Sequence, residues 1–258
     1  MKRIIKVCVL SVMLVLFYSC ANDKNNEVKL LTKLIETAED SSKITTLFTY
    51  KDNEIVSTDN STIHVDYAYT NGLITKIVSK TKSDQSEVST SFTYDKDKLV
   101  QVKFSDGYVT NYTHNADGSV TYEHIAIGDK EVQTKEYHGV LYFEKGNFVK
   151  DSRVLDNTEV DVVSKINMSY EYDTKSNPYF NIKGFDKLLN YNELISVNNS
   201  MLNVVENNTT NTKEDQIMSS AKMHKSSFKY DNDGYPQEQI TENAKSNSGY
   251  LKSNYIYE

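Results

Sequence analysis

Tryptophan is missing from this chain, and proline, glycine and cysteine are scarce: two prolines, nine glycines and two cysteines in 258 residues. So little proline excludes a proline-rich stalk or linker. Of the two cysteines, Cys8 lies in an N-terminal leader, so Cys20 is the sole cysteine once the leader is removed. Disulfides, thiolate metal sites and a cysteine nucleophile are therefore excluded together, and an exported domain must be held by its own core. There is no HExxH, GxSxG, P-loop or GxGxxG pattern, so the familiar zinc, serine-nucleophile and nucleotide sites have no sequence support. No apolar run reaches the roughly 20 residues of a membrane-spanning helix.

The leader itself is informative. Lys2, Arg3 and Lys6 form a basic start, Val7 to Tyr18 is apolar apart from Ser11, and Phe17-Tyr18-Ser19-Cys20 closes the segment. An apolar core this short reads as a secretion signal rather than a span. It resembles a bacterial lipoprotein signal, in which a small residue precedes the modified cysteine. Ser19 and Cys20 fit that pattern, while Phe17 and Tyr18 are bulkier than its commonest form. The resemblance implies cleavage before Cys20, lipidation of Cys20 (palmitate among the chains), and attachment to the outer membrane facing the periplasm or the cell surface. Each buried methylene contributes about 0.8 kcal/mol to such an anchor. The resulting division is residues 1–19 as signal, 20–28 as lipidated cysteine and polar tether, and 29–258 as a single β-domain.

Three of the 29 basic residues lie in the leader, which leaves 26 against 36 acidic residues, a formal charge of −10. That sign opposes nucleic acid or an anionic membrane surface as partner. The composition is rich in tyrosine, 19 residues, with abundant Thr, Val, Ser and Asn, which suits pleated, half-buried surfaces.

A short phrase recurs: two aromatics one residue apart, then a turn, then an apolar return. Phe48-Thr49-Tyr50 runs into Lys51-Asp52-Asn53-Glu54, Tyr67-Ala68-Tyr69 into Thr70-Asn71-Gly72, and Phe92-Thr93-Tyr94 into Asp95-Lys96-Asp97-Lys98. Tyr112-Thr113-His114 runs into Asn115-Ala116-Asp117-Gly118 and Phe228-Lys229-Tyr230 into Asp231-Asn232-Asp233-Gly234, with Tyr170-Glu171-Tyr172 and Tyr255-Ile256-Tyr257 as further instances. Residues two apart share a strand face, and Asx and Gly serve tight turns. Ile63, Val65, Tyr67 and Tyr69 thus form one apolar face, with His64, Asp66 and Ala68 opposite; Val88, Phe92 and Tyr94 repeat the pattern. The spacing is irregular, so this is not a fixed-length solenoid. It predicts a mainly β fold: an antiparallel up-and-down meander of tyrosine-rich hairpins, strongly curved or rolled towards a barrel, with a short helical or loop insertion near 177–225.

The phrase resembles the YD-repeat of large bacterial surface proteins. Through Phe92-Thr93-Tyr94-Asp95, Tyr170 to Asp173 leading into Asn177-Pro178-Tyr179-Phe180, and Phe228 to Pro236, residues 29–258 resemble a family of Bacteroidetes lipoproteins with a domain of unknown function and a porin-like β-fold. The resemblance implies fold and location and supplies no catalytic residues.

Two stretches break the rhythm. Val28 to Ala38 reads as a helix through Val28, Leu31, Leu34, Ile35 and Ala38 or as a strand; the strand is favoured because a hairpin partner follows at once. Within the insertion, Phe185 to Val197 suggests a short helix directing Phe185, Leu188, Leu189 and Ile195 at the sheet, and Asn207 to Asp215 suggests an exposed loop. Asp231-Asn232-Asp233-Gly234 lacks the outlying ligands of a calcium loop, with Lys229 and Ile240 in their places, so it reads as a turn. None of His64, His114, His124, His138 and His224 forms a zinc pair; His114 falls on the Tyr108, Thr110, Tyr112 face. No metal, cofactor or catalytic residue is assigned. The expectation is a non-enzymatic envelope module, binding or structural, with an unknown protein or glycan partner. A glycan- or lipid-binding protein using a tyrosine-lined face is the alternative, and a hydrolase with acids far apart in sequence is the second.

Overall fold

The computed structural model describes residues 28–258 apart from 129–130, 157, 192–193 and 244–249. The signal, Cys20 and the tether up to residue 27 lie outside the described residues. Sixteen strands are present among those described: β1 (Leu31–Thr37), β2 (Lys43–Lys51), β3 (Glu54–Asp59), β4 (Ile63–Thr70), β5 (Leu73–Thr81), β6 (Glu87–Asp95), β7 (Lys98–Phe104), β8 (Tyr108–His114), β9 (Val120–Ile127), β10 (Gln133–Glu144), β11 (Asn147–Leu155), β12 (Val162–Ser176), β13 (Asn198–Asn211), β14 (Gln216–Tyr230), β15 (Pro236–Asn243) and β16 (Tyr250–Tyr257). Each pairs antiparallel with its sequence neighbour, and β1 pairs with β16, so the meander closes into a barrel. Val28 to Ala38 is the favoured strand, β1, rather than a helix.

The period-two pattern sorts side chains between inside and outside. Phe92, Val102, Tyr112, Tyr122 and Tyr170 are buried in one interior cluster, whereas their strand neighbours face outward. The outward face carries charge in mid-strand, with Lys76, Lys103, Lys165 and Glu171 exposed, among scattered apolar residues such as Leu47, Val56 and Ile256. Ion pairs cross neighbouring strands outside, among them Lys80–Glu87 at 3.6 Å and Lys229–Glu238 at 2.7 Å. A membrane-spanning barrel has the opposite arrangement, an outer apolar band about 25 Å tall around a polar lumen.

The hairpin turns match the sequence reading. Asn71 and Gly72, Lys96 and Asp97, and Lys145 and Gly146 form three pairs with positive φ, the conformation of two-residue hairpin turns that follow the twist of the strands. A β-bulge falls at Tyr50, Tyr69, Tyr94 and Tyr230, the second aromatic of their phrases, just before the turn, and another at Phe143. The tyrosines there also bind the neighbouring hairpin. Tyr50 Oη donates to the Leu31 carbonyl at 2.7 Å, Tyr94 Oη to Ile74 at 2.8 Å and Tyr257 Oη to Pro236 at 2.7 Å. Tyr172 does the same to Phe148, and Tyr69 Oη accepts from the Ile55 N–H at 3.2 Å. His114 takes the tyrosine place on β8 and meets the Leu99 carbonyl through Nε2 at 2.8 Å; a carbonyl only accepts, so Nε2 carries the proton. Each contact joins strands that are not connected at that end of the barrel.

The same end is closed by residues 177–197, which lie between β12 and β13. Ile182, Phe185, Leu188, Leu189 and Ile195 are buried against Ile55, Ile74, Leu99 and Phe148 from the wall. The plug is tied to the turns: Lys183 N–H donates to the Asn53 carbonyl at 2.9 Å, and Lys183 Nζ pairs with Glu54 at 2.8 Å. Asn181 Nδ2 reaches the Lys29 carbonyl and Tyr235 Oη, both at 2.8 Å.

The insertion is thus shorter than 177–225, since 198–211 and 216–225 are strand, joined by a turn at 212–215. Among the described residues of Phe185 to Val197 the short helix is a single 3-10 turn, Phe185–Lys187, and Phe185, Leu188, Leu189 and Ile195 are buried against the wall as expected. The N–H groups of Phe185, Leu188, Tyr191 and Leu194 bond the carbonyls of Ile182, Phe185, Leu188 and Tyr191. The plug is therefore a succession of three-residue turns, and its apolar residues recur every three positions. Asn207 to Asp215 is not a loop either: Asn207–Asn211 pairs with Gln216–Ser220, leaving 212–215 as the turn. Gln216 to Met223 is exposed on both faces, so backbone pairing rather than burial sustains this arm.

Removing one tyrosine hydroxyl should orphan a carbonyl without altering the packing. Tyr94→Phe is expected to cost about 1–2 kcal/mol of unfolding free energy. Tyr142→Phe on the exposed outer face should cost under about 0.5 kcal/mol. Urea denaturation of both variants measures the difference.

Candidate functional site

Plugged at one end, the lumen holds two cavities that touch the plug among the described residues. The larger, about 440 Å³, is walled by β1 and β13–β16 above Pro178, Tyr179 and Leu194 of the plug. The smaller, about 320 Å³, is walled by β7–β11 above Leu189, Asn190 and Tyr191. Both lie in the range of small-molecule sites.

Amides and hydroxyls dominate the polar wall of the larger cavity. Gln239 Nε2 donates to Ser226 Oγ at 3.1 Å and to Thr241 Oγ1 at 3.0 Å, and Tyr255 Oη donates to Gln239 Oε1. Glu36 lines it as well, and burial pushes its carboxyl up from the ordinary glutamate range. Asn203 Oδ1 is buried there without a hydrogen-bond partner among the described residues.

The smaller cavity is built around an ion pair. Asp151, 1 % exposed, accepts from Tyr122 Oη at 2.7 Å and from Arg153 Nη2 at 2.7 Å. Arg153 Nε donates to Tyr122 Oη at 2.9 Å. Asp151 and Arg153 are two apart on β11 and so share its inner face. Tyr122 comes from β9, one strand further on, and must cross β10 to reach them. Gly139 makes the crossing possible: it pairs with Tyr122 on one side and Arg153 on the other. A Cβ at Gly139 would lie 2.7 Å from Tyr122 Oη and 2.7 Å from the Ser152 carbonyl.

A ladder of planar groups leads from this pair to the rim. The Arg153 guanidinium lies 4.4 Å from the Tyr137 ring centroid. Tyr137 stacks on His124 at 4.5 Å, and His124 stacks on the partly exposed Tyr108 at 5.1 Å. His124 Nδ1 shares a 2.8 Å hydrogen bond with Thr110 Oγ1. Burial, and then the charge of Arg153, hold His124 below the ordinary histidine value and favour its neutral form.

Of the residues singled out by sequence, His124 and His224 reach cavity walls, one in each. His114 is a structural tie, and His64 and His138 lie outside against Asp59 and Asp156. Asp231 organises its turn by accepting from the Asp233 and Tyr235 N–H groups, and it ion-pairs with Lys29. Cys20 lies outside the described residues. The sequence reading missed Arg153, although a signal existed: it is the only arginine beyond the leader. Tyr122 and Gly139 left no such signal, because their roles depend on which strands become neighbours.

The barrel resembles solved structures. A crystal structure of a porin-like protein from Bacteroides vulgatus matches with a TM-score of 0.56 over 89 % of this chain and 99 % of that one, at 13 % identity. A second, of a porin-like protein from Bacteroides uniformis, covers 88 % of this chain and 98 % of that one at 10 % identity, with a TM-score of only 0.32. No protein-family model matches the sequence, and no curated protein does. The first likeness defines the class by fold alone: a porin-like, closed antiparallel β-barrel.

Two histidines should titrate in opposite directions. His64 is raised above 6.5, mainly by its hydrogen bond to Asp59, while His124 is lowered by burial. The His64 contribution to stability is complete below 6.5 and is lost as pH rises through its folded midpoint. For His124 the unfolded chain takes the proton first, so stability falls as pH drops through 6.5. NMR titration should place the His64 midpoint above 6.5 and that of His124 below it; His124→Phe should remove the latter acid-side loss.

Proposed function

We propose that the chain is a non-enzymatic, lipid-anchored protein of the cell envelope whose barrel lumen receives a small ligand. The carrying observation is a pair of buried acceptors, Asn203 Oδ1 and Asn190 Oδ1, one lining each cavity and neither with a partner among the described residues. Buried polar atoms without partners are rare and costly, and a ligand supplying donors gives both a purpose. The tyrosine-lined face of the alternative reading turns inward, so any binding that uses it takes place in the lumen. Amide and hydroxyl walls suit a polar ligand better than an acyl chain. Each cavity holds one acid and one histidine, Glu36 with His224 and Asp151 with His124. Asp151 is already committed to two donors, so neither cavity gathers the three acidic or histidine groups that would favour a hydrolase.

The leader supports the anchor and the location, with Cys20 as the acylated residue. The charged outer wall supports a body standing in water beside the membrane. Metabolic labelling with palmitate should mark the wild type and not Cys20→Ala; label on the variant would refute the anchor. Native mass spectrometry of protein purified undenatured from its natural host should show a small adduct released on unfolding. The unliganded mass alone, together with no binding across a panel of sugars, nucleosides, amino acids and fatty acids, would refute the lumen reading.

A further inference from the structure

We propose that the smaller cavity is a binding site for an uncharged, polyhydroxylated ligand of sugar size, held between the open edge of Arg153 and the side chain of Asn190. This assignment rests on the lumen reading above and names the chemistry of one of its two cavities.

Arg153 carries five N–H donors. Two are used, Nε toward Tyr122 and one Nη2 hydrogen toward Asp151. The other three have no acceptor among the described residues, and the side chain is 24 % exposed on the cavity wall. Asn190 Oδ1, on the plug beneath, is buried and accepts from nothing described. The cavity thus presents open donors on Arg153 and an open, buried acceptor on Asn190.

Charge narrows the choice. Among the described lining residues Arg153 and Asp151 are the one oppositely charged pair and cancel each other, so an anion meets no surplus of positive charge there. A carboxylate also offers acceptors only and leaves Asn190 unanswered. An amine offers donors only and is repelled by Arg153. An amide has both, but a single carbonyl does not serve three donors. Hydroxyl groups donate and accept, and several on one ring meet both Arg153 and Asn190. Tyr122 and Tyr137 hold Arg153 in place beforehand, which lowers the ordering cost of binding.

The test is titration calorimetry of the mature protein with methyl glucoside, methyl galactoside, methyl mannoside and myo-inositol. Glucuronate, glucosamine and N-methylacetamide are the charged and amide arms. At least one neutral polyol should bind tenfold or more tightly than every charged or amide arm. Asn190→Leu should weaken it at least tenfold. Because that variant removes an acceptor with no protein partner, its thermal midpoint should equal or exceed that of the wild type, which separates lost binding from lost folding. Preference for glucuronate, glucosamine or the amide, unchanged affinity in Asn190→Leu, or silence from all the polyols would overturn the assignment. Asn203→Leu in the larger cavity distinguishes the two readings. If it abolishes binding while Asn190→Leu does not, the lumen reading stands and this cavity's assignment falls.

Discussion

Everything in this structure follows from closing sixteen strands into one ring. Eight strands enclose a bore that side chains alone can fill, whereas sixteen leave a channel in a porin. Here the wall points apolar and aromatic residues inward, and an unfilled bore would leave them in water. Residues 177–197 meet that demand at one end by carrying Ile182, Phe185 and Leu188 into the lumen. Toward the other end the filling stops, and the two cavities remain. They are a consequence of bore width and a plug that reaches only part of the way.

The same ring explains the tyrosines. A hairpin secures its own two strands through the turn, but adjacent hairpins at that end have no covalent link. Tyr50, Tyr94, Tyr172 and Tyr257 bridge such junctions with their hydroxyls, and His114 does so with a ring nitrogen. Phenylalanine would fill the interior equally well and leave the carbonyls unpaired. The residues therefore combine apolar area with a polar tip at a position where both are used. Relative to a membrane porin the faces are reversed: charge is outside and aromatic packing inside.

Local features of the fold were legible in sequence, and distant ones were not. Alternation within Ile63 to Tyr69 and the Asn71-Gly72 and Asp231 to Gly234 turns could be read directly, because strand faces and turns depend on near neighbours. Closure could not, since Leu31 opposite Tyr257 is a pairing across the whole chain. The inward stripe of Phe185, Leu188, Leu189 and Ile195 was legible, but the short helix shrank to one 3-10 turn, because spacing by three from Ile182 to Leu194 marks consecutive turns. The Asn207 to Asn211 arm was misread as a loop because its polar residues face water on both sides and show no apolar alternation. In the site, Arg153 could have been noticed by its rarity. Its alignment with Tyr122 through Gly139 could not, because three strands must first lie side by side.

If the barrel stands in water and receives a ligand inside, as proposed, it needs no detergent. The most direct test is to express the chain without its signal and with Cys20 replaced, and to examine it without detergent. The account predicts a monodisperse, β-rich monomer that stays in solution and produces no ion conductance when added to planar bilayers. Aggregation relieved only by detergent, together with stepwise conductance, would contradict it.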